Sequence, residues 1–276
     1  MLDIGLVQAR PALQVEFRTS LAEDLMHVLS LVLDAPSIEG LDQWVYATQA
    51  ALPPTLKQDM QTVLIFTQKS DTLGLWMRRL PPDARQHRDF AAFVDWLNAF
   101  TQDDYQDLIQ SALVNLAHYC EEEQGDHLPA PLLDDAESLK VCLGQKLDGE
   151  QLDRAVQLVY EPLELKTQFI SVVTRFWEQF YHKEYQRCHP IMERSVAYHS
   201  QQNYSGDFDV TFTAVTGRRP LKDHSELDDV GRVVFFPSCH IGPYVMLQHT
   251  EGPLPAVILH FNCRPTSAPE QEETPI

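Results

Sequence analysis

Hydrophobic positions recur along this chain with two different periods. Residues 13–18 alternate Leu13, Val15 and Phe17 with polar neighbours, which predicts a short strand. From Ser20 the period lengthens to a helical one, with Leu21, Leu25, Val28, Leu29 and Val32 on one face. Ser20 and Glu23 form a capping box that sets the start of that helix, and Pro36 is expected to end it. Pro53-Pro54 and Pro81-Pro82 divide residues 38–80 into two short helices. Phe90, Phe93, Val94, Leu97 and Phe100 make the next stripe, and Thr101 with Asp104 at N3 restarts the period. The acidic, proline-bearing stretch that follows, with Glu121 to Glu123 as a fraying helix end, reads as a solvated connection.

Leu152, Ala155, Val156 and Val159 resume the helical spacing, and Pro162 stands where a first helical turn tolerates proline. It opens a long helix expected to reach residue 188, with Phe169, Phe176, Trp177, Phe180 and Tyr181 along one side. His189-Pro190 is expected to break that helix and start another. After residue 205 the period returns to 2. Phe208, Val210, Phe212 and Ala214 alternate, and 232–236, 244–250 and 256–262 are short β-rich runs bounded by Gly and Pro. Too few residues separate the last three for intervening helices, so hairpins are expected.

The predicted fold is therefore α+β, a mainly helical body (about 20–203) followed by a small antiparallel β-sheet (about 206–263), with strand 13–18 a candidate to join it. One domain over 1–263 accommodates all of this. Residues 264–276 hold three prolines and three glutamates without periodicity, which reads as a flexible linker toward a missing C-terminal domain beyond Ile276.

Composition narrows the function. With 40 Asp and Glu against 21 Lys and Arg, the formal charge of -19 opposes direct contact with a polyanion. Neither an 18-residue apolar run nor a signal segment occurs, so no membrane partner is expected and a cytoplasmic location is. Only 11 glycines are present, none in a dinucleotide or P-loop arrangement, which removes the backbone cradle a nucleotide needs. Five cysteines at irregular spacing, without a CxxC pair, indicate neither a disulfide framework nor a zinc site; no metal and no cofactor is expected.

Candidate chemistry gathers at Ser238, Cys239 and His240, where an apolar strand runs into Gly242-Pro243. A serine nucleophile needs a base within reach and a tight glycine elbow, and neither G-x-S-x-G nor S-x-x-K is present, so a turn is the simpler account. The pairs Glu178/His182 and His189/Glu193 read as surface i,i+4 pairs. Arg78-Arg79 and Arg218-Arg219 are doubled basic sites, neither a nucleic-acid patch by itself. Any ligand pocket is expected between the long helix and the sheet, lined by Trp177, Tyr181, Tyr185 and His240, and suited to a small apolar or aromatic compound. A filled aromatic core is the simpler account of the same residues.

Three passages, "LQVEFRTSLAEDLMHVLSLV", "FWEQFYHKEYQRCHPIMERSVAYHS" and "VVFFPSCHIGPYV", together resemble the N-terminal half of certain bacterial ArsR-type transcriptional regulators, in which such a region precedes a C-terminal winged helix. The resemblance spans most of the chain in order, and no short motif within it is diagnostic alone. It implies a non-enzymatic effector-binding or dimerisation domain, a homodimer, and DNA contact only through a winged helix absent from this chain. The alternatives are a Ser/Cys or metal-dependent hydrolase using residues 238–240, and a protein-interaction module without a ligand.

Overall fold

A computed structural model describes residues 13–68, 71–124, 135–204, 207–219, 231–250 and 256–263. The expected linker 264–276 and the core of the acidic connection, 125–134, lie outside the described residues. The chain divides into two compact units, one made of residues 20–186 and the other of 1–19 with 187–276. The α+β expectation holds: the fold is mainly helical with one small sheet.

The 20–186 unit is all helical. It comprises α1 (Leu21–Asp34), α2 (Gln43–Ala51), α3 (Pro54–Gln68), α4 (Asp71–Arg79), α5 (Phe90–Ala99), α6 (Gln102–Gln124), α7 (Ala136–Leu143), α8 (Gly149–Tyr160) and α9 (Pro162–Phe176). A π-helical turn, Trp177–Tyr181, joins α9 to α10 (His182–Ser200). Local chemistry explains the helix starts. The Ser20 Oγ accepts from the Glu23 amide at 3.2 Å, as the capping box predicts. Thr101 and Asp104 cap each other reciprocally, the Thr101 amide donating to Asp104 at 2.7 Å and the Asp104 amide to Thr101 Oγ1 at 3.3 Å. Aspartates 42, 89 and 135 cap α2, α5 and α7 in the same way. α3 lies at the centre, packed on α6, α8 and α9, with Leu56, Met60, Val63 and Phe66 fully buried.

The second unit holds the sheet, formed by β1 (Gln14–Phe17), β2 (Arg232–Ser238), β3 (Val245–Thr250) and β4 (Ala256–Asn262) in the order β1-β2-β4-β3. The N-terminal strand does join. The sheet is mixed rather than antiparallel: β1 and β4 both run parallel to β2, and only β3 and β4 pair antiparallel. The physical reason is that β3 is itself the return path. Residues 239–244 carry the chain past the end of β4 to its far side, so β4 slots between β2 and β3 without a helical crossover. β2 and β4 are buried on both faces, as central parallel strands are: Val233, Phe235, Val257, Leu259 and Phe261 on one side, Val234, Phe236 and Ile258 on the other.

Three local expectations are corrected. Residues 38–80 form three helices, α2, α3 and α4, rather than two short ones, and α3 runs for 15 residues. Residues 208–216 form a helix, α11 (Phe208–Thr216), rather than a strand. Asp207 accepts from the Val210 amide at its N-terminus and Gly217, at φ 69°, closes its C-terminus in the left-handed conformation. Phe208, Phe212 and Val215, spaced for a helix face, pack on the sheet, whereas Val210 is 56% exposed. Pro190 does not break the long helix but stands inside α10, where its ring faces outward.

Candidate functional site

Trp177, Tyr181 and Tyr185 do come together. Their rings form a triangle with centroids 5.7 to 6.0 Å apart, and all three are buried. Phe90 stacks on Trp177 at 4.6 Å and Trp44 closes on Tyr181 at 5.8 Å. Their i, i+4, i+8 spacing puts the three rings on one face of the helix, and the π-helical turn Trp177–Tyr181, a feature that recurs at functional sites, falls within that stretch. The arrangement is also polar. The Tyr181 hydroxyl donates to Asp24 in a short hydrogen bond, and Glu23, Asp24 and His27 are all buried on the first two turns of α1. Beside them the Ser20 Oγ meets His87 Nδ1 at 2.8 Å. Sequence periodicity marked α1 as a core helix but gave no sign that three ionisable residues on it would be buried.

His240, the fourth candidate, belongs to the unit of the sheet, at the corner where β2 ends. Ser238, Cys239 and His240 are almost fully buried. The turn reading holds for Ser238: its Oγ accepts from the His240 amide at 3.2 Å, and the loop closes with the Tyr244 amide donating to the Ile241 carbonyl at 3.3 Å. Gly242 sits at φ 63°, where only glycine is free of strain, and its carbonyl accepts from Asn262 Nδ2 at 2.8 Å. His240 Nε2 lies 3.7 Å from Cys188 Sγ on α10, and Cys239 Sγ lies 3.6 Å from Cys263 Sγ. Cys142, Cys188, Cys239 and Cys263 are thiols, not disulfides. Among the surface pairs, His189 and Glu193 approach to 3.7 Å.

A cleft of about 460 Å³ opens in the same unit, between β1 and the last turn of α10. Leu13, Val15 and Phe17 form its apolar wall, with His199 and Tyr204 opposite. The Phe17 ring stacks on His199 at 5.1 Å and on Phe235 at 5.0 Å, and His199 Nδ1 meets the Tyr204 hydroxyl at 2.5 Å. Burial lowers the His199 pKa, and burial with the nearby Tyr198 raises that of Tyr204. A charged group borders this wall. Burial alone would push Glu16 up, but hydrogen bonds from Arg232 and Arg18 outweigh it and hold the carboxyl below its ordinary value. Arg18 Nε donates to Glu16 at 3.0 Å, and Arg232 Nε lies 2.7 Å from the same carboxylate. None of Trp177, Tyr181, Tyr185 and His240, the expected pocket lining, borders this cleft. The signal in the sequence was the alternation that puts Val15 and Phe17 on one face and Glu16 on the other.

No helix among the described residues is long and apolar enough to cross a membrane. The chain matches no protein-family model, no curated protein and no solved structure.

Proposed function

We propose that this chain is the effector-binding and dimerisation module of an ArsR-like transcriptional regulator, non-enzymatic and cytoplasmic, and that the cleft beside β1 receives a small aromatic or apolar compound. The cleft carries the reading. Its volume of about 460 Å³ lies within the range of small-molecule sites, and it joins an aromatic wall to a few convergent polar groups. The charge of -19 supports a module that leaves DNA contact to another part of the regulator. The three passages that resemble ArsR-type regulators supply the rest of the reading. Ser238 as an enzymatic nucleophile fits less well, because its hydroxyl is buried and engaged in the turn.

Isothermal titration of the purified chain with indole, phenol and benzoate tests the cleft. Saturable binding of at least one, weakened at least fivefold by Phe17→Leu, is the expected result. Binding that Phe17→Leu leaves unchanged, or no binding across such a panel, would refute the assignment of the cleft. Light scattering at several concentrations tests the homodimer separately.

A further inference from the structure

The geometry points to Cys239 and Cys263 as a redox-reactive dithiol that closes to a disulfide by exchange with low-molecular-weight disulfides. Three observations converge. The sulfur atoms are already 3.6 Å apart. The backbone holds them in register: Ser238 pairs with Asn262 at the last position of the parallel β2–β4 ladder, so Cys239 and Cys263 are the next facing pair. The Cys263 amide donates to the Ser238 carbonyl at 3.0 Å, which extends the ladder to that position. Neighbouring strands run about 4.8 Å apart, inside the Cα separation of about 4.4–6.8 Å that a disulfide spans. Rotation of the two side chains is then enough to bring sulfur to bonding distance, without movement of the sheet.

The two thiols also differ in the way an exchange reaction needs. Cys263 is partly exposed, whereas Cys239 is 1% exposed. The Cys263 thiolate attacks one sulfur of a disulfide RSSR, forming Cys263–S–S–R and expelling RS⁻. The Cys239 thiolate then attacks the Cys263 sulfur, the mixed disulfide breaks, and a second RS⁻ leaves. The net change is two protein thiols oxidised and one RSSR reduced to two RSH. The product ties the end of β2 to the end of β4, closing a loop that contains β3 and the turn carrying His240 and Gly242. This dithiol stands independently of the cleft and of any effector, so the failure of either leaves the other in place.

Equilibration of the native chain in glutathione buffers of increasing GSSG fraction, followed by acid quench, unfolding and alkylation, reads the reaction directly. The expected product loses two of its five alkylation adducts and yields a cross-linked peptide joining residues 239 and 263. In Cys239→Ser the second step is blocked, and a glutathione adduct accumulates at Cys263; in Cys263→Ser neither the cross-link nor an adduct at Cys239 forms. The same equilibration in 8 M urea should yield the cross-link at a GSSG fraction at least tenfold higher, because unfolding removes the apposition. Retention of all five thiols by the native wild-type chain in pure GSSG would overturn the proposal. So would a persistent glutathione adduct at wild-type Cys263, or equal cross-linking of native and unfolded chain, and these outcomes hold even if a variant fails to fold.

Discussion

His260 makes stability depend on pH in a window that can be worked out in advance. Its ring is fully buried in β4, stacked on Phe236 of the neighbouring strand at 5.6 Å, and burial lowers its pKa from 6.5 to about 4. The folded state therefore favours the neutral ring. Between the two values the unfolded chain binds a proton that the folded chain does not, so stability rises with pH there and is lost as pH falls through the folded pKa. Each pKa unit is worth about 1.4 kcal/mol, so the full effect is on the order of 3 kcal/mol. About 1 kcal/mol is lost between pH 7 and pH 5.5, and about 2.5 kcal/mol by pH 4.5. The perturbation is His260→Gln, which keeps a polar side chain but does not titrate. Urea unfolding of both proteins at the three pH values gives the test. Carboxylates titrate in the same range and affect both chains alike, so the quantity to read is the change in the wild-type minus variant difference. That difference should shift against the wild type by about 2.5 kcal/mol from pH 7 to pH 4.5. A difference that stays constant would show that the ring is not held neutral by burial, and the reasoning would fail whatever the variant's baseline stability.

Two other substitutions test the helical part. Tyr181→Phe removes the hydroxyl that donates to buried Asp24, and should lower unfolding stability in urea by about 1–3 kcal/mol, the range for taking one hydrogen-bond partner from a buried polar group; a loss below about 0.5 kcal/mol would mean that the bond contributes little. Pro190→Ala returns a backbone N–H to the interior of α10 at an exposed position, and should raise stability by about 1 kcal/mol or more, measured by the same unfolding curves. Destabilisation by that change would show that the proline is accommodated at no cost.

Much of the fold is carried by short-range chemistry and could be read along the chain. The Ser20–Glu23 and Thr101–Asp104 caps, the strand at 13–18 and the long helix opened by Pro162 depend on residues within a few positions of one another. Their physics is local, so their spacing suffices. The segment 208–216 shows where that limit lies. Phe208, Val210, Phe212 and Ala214 alternate like a strand, while Phe208, Phe212 and Val215 fit a helix, and nine residues are too few for the period to decide. Asp207 and Gly217, the cap and the left-handed terminator, were the better signals.

What the sequence determined by itself was a mainly helical α+β chain, its helix starts, the negative charge that argues against direct DNA contact, and the aromatic run at 176–185. What only the tertiary structure decided was strand order and direction, the π turn at Trp177–Tyr181, the burial of Asp24 and His27, the cleft beside β1, and the meeting of Cys239 with Cys263. These depend on pairings such as Gln14 with Arg232, whose partners stand more than two hundred positions apart. No local spacing encodes such a pairing, because its free energy comes from burying two distant apolar surfaces against each other and is paid back only when the whole sheet has formed.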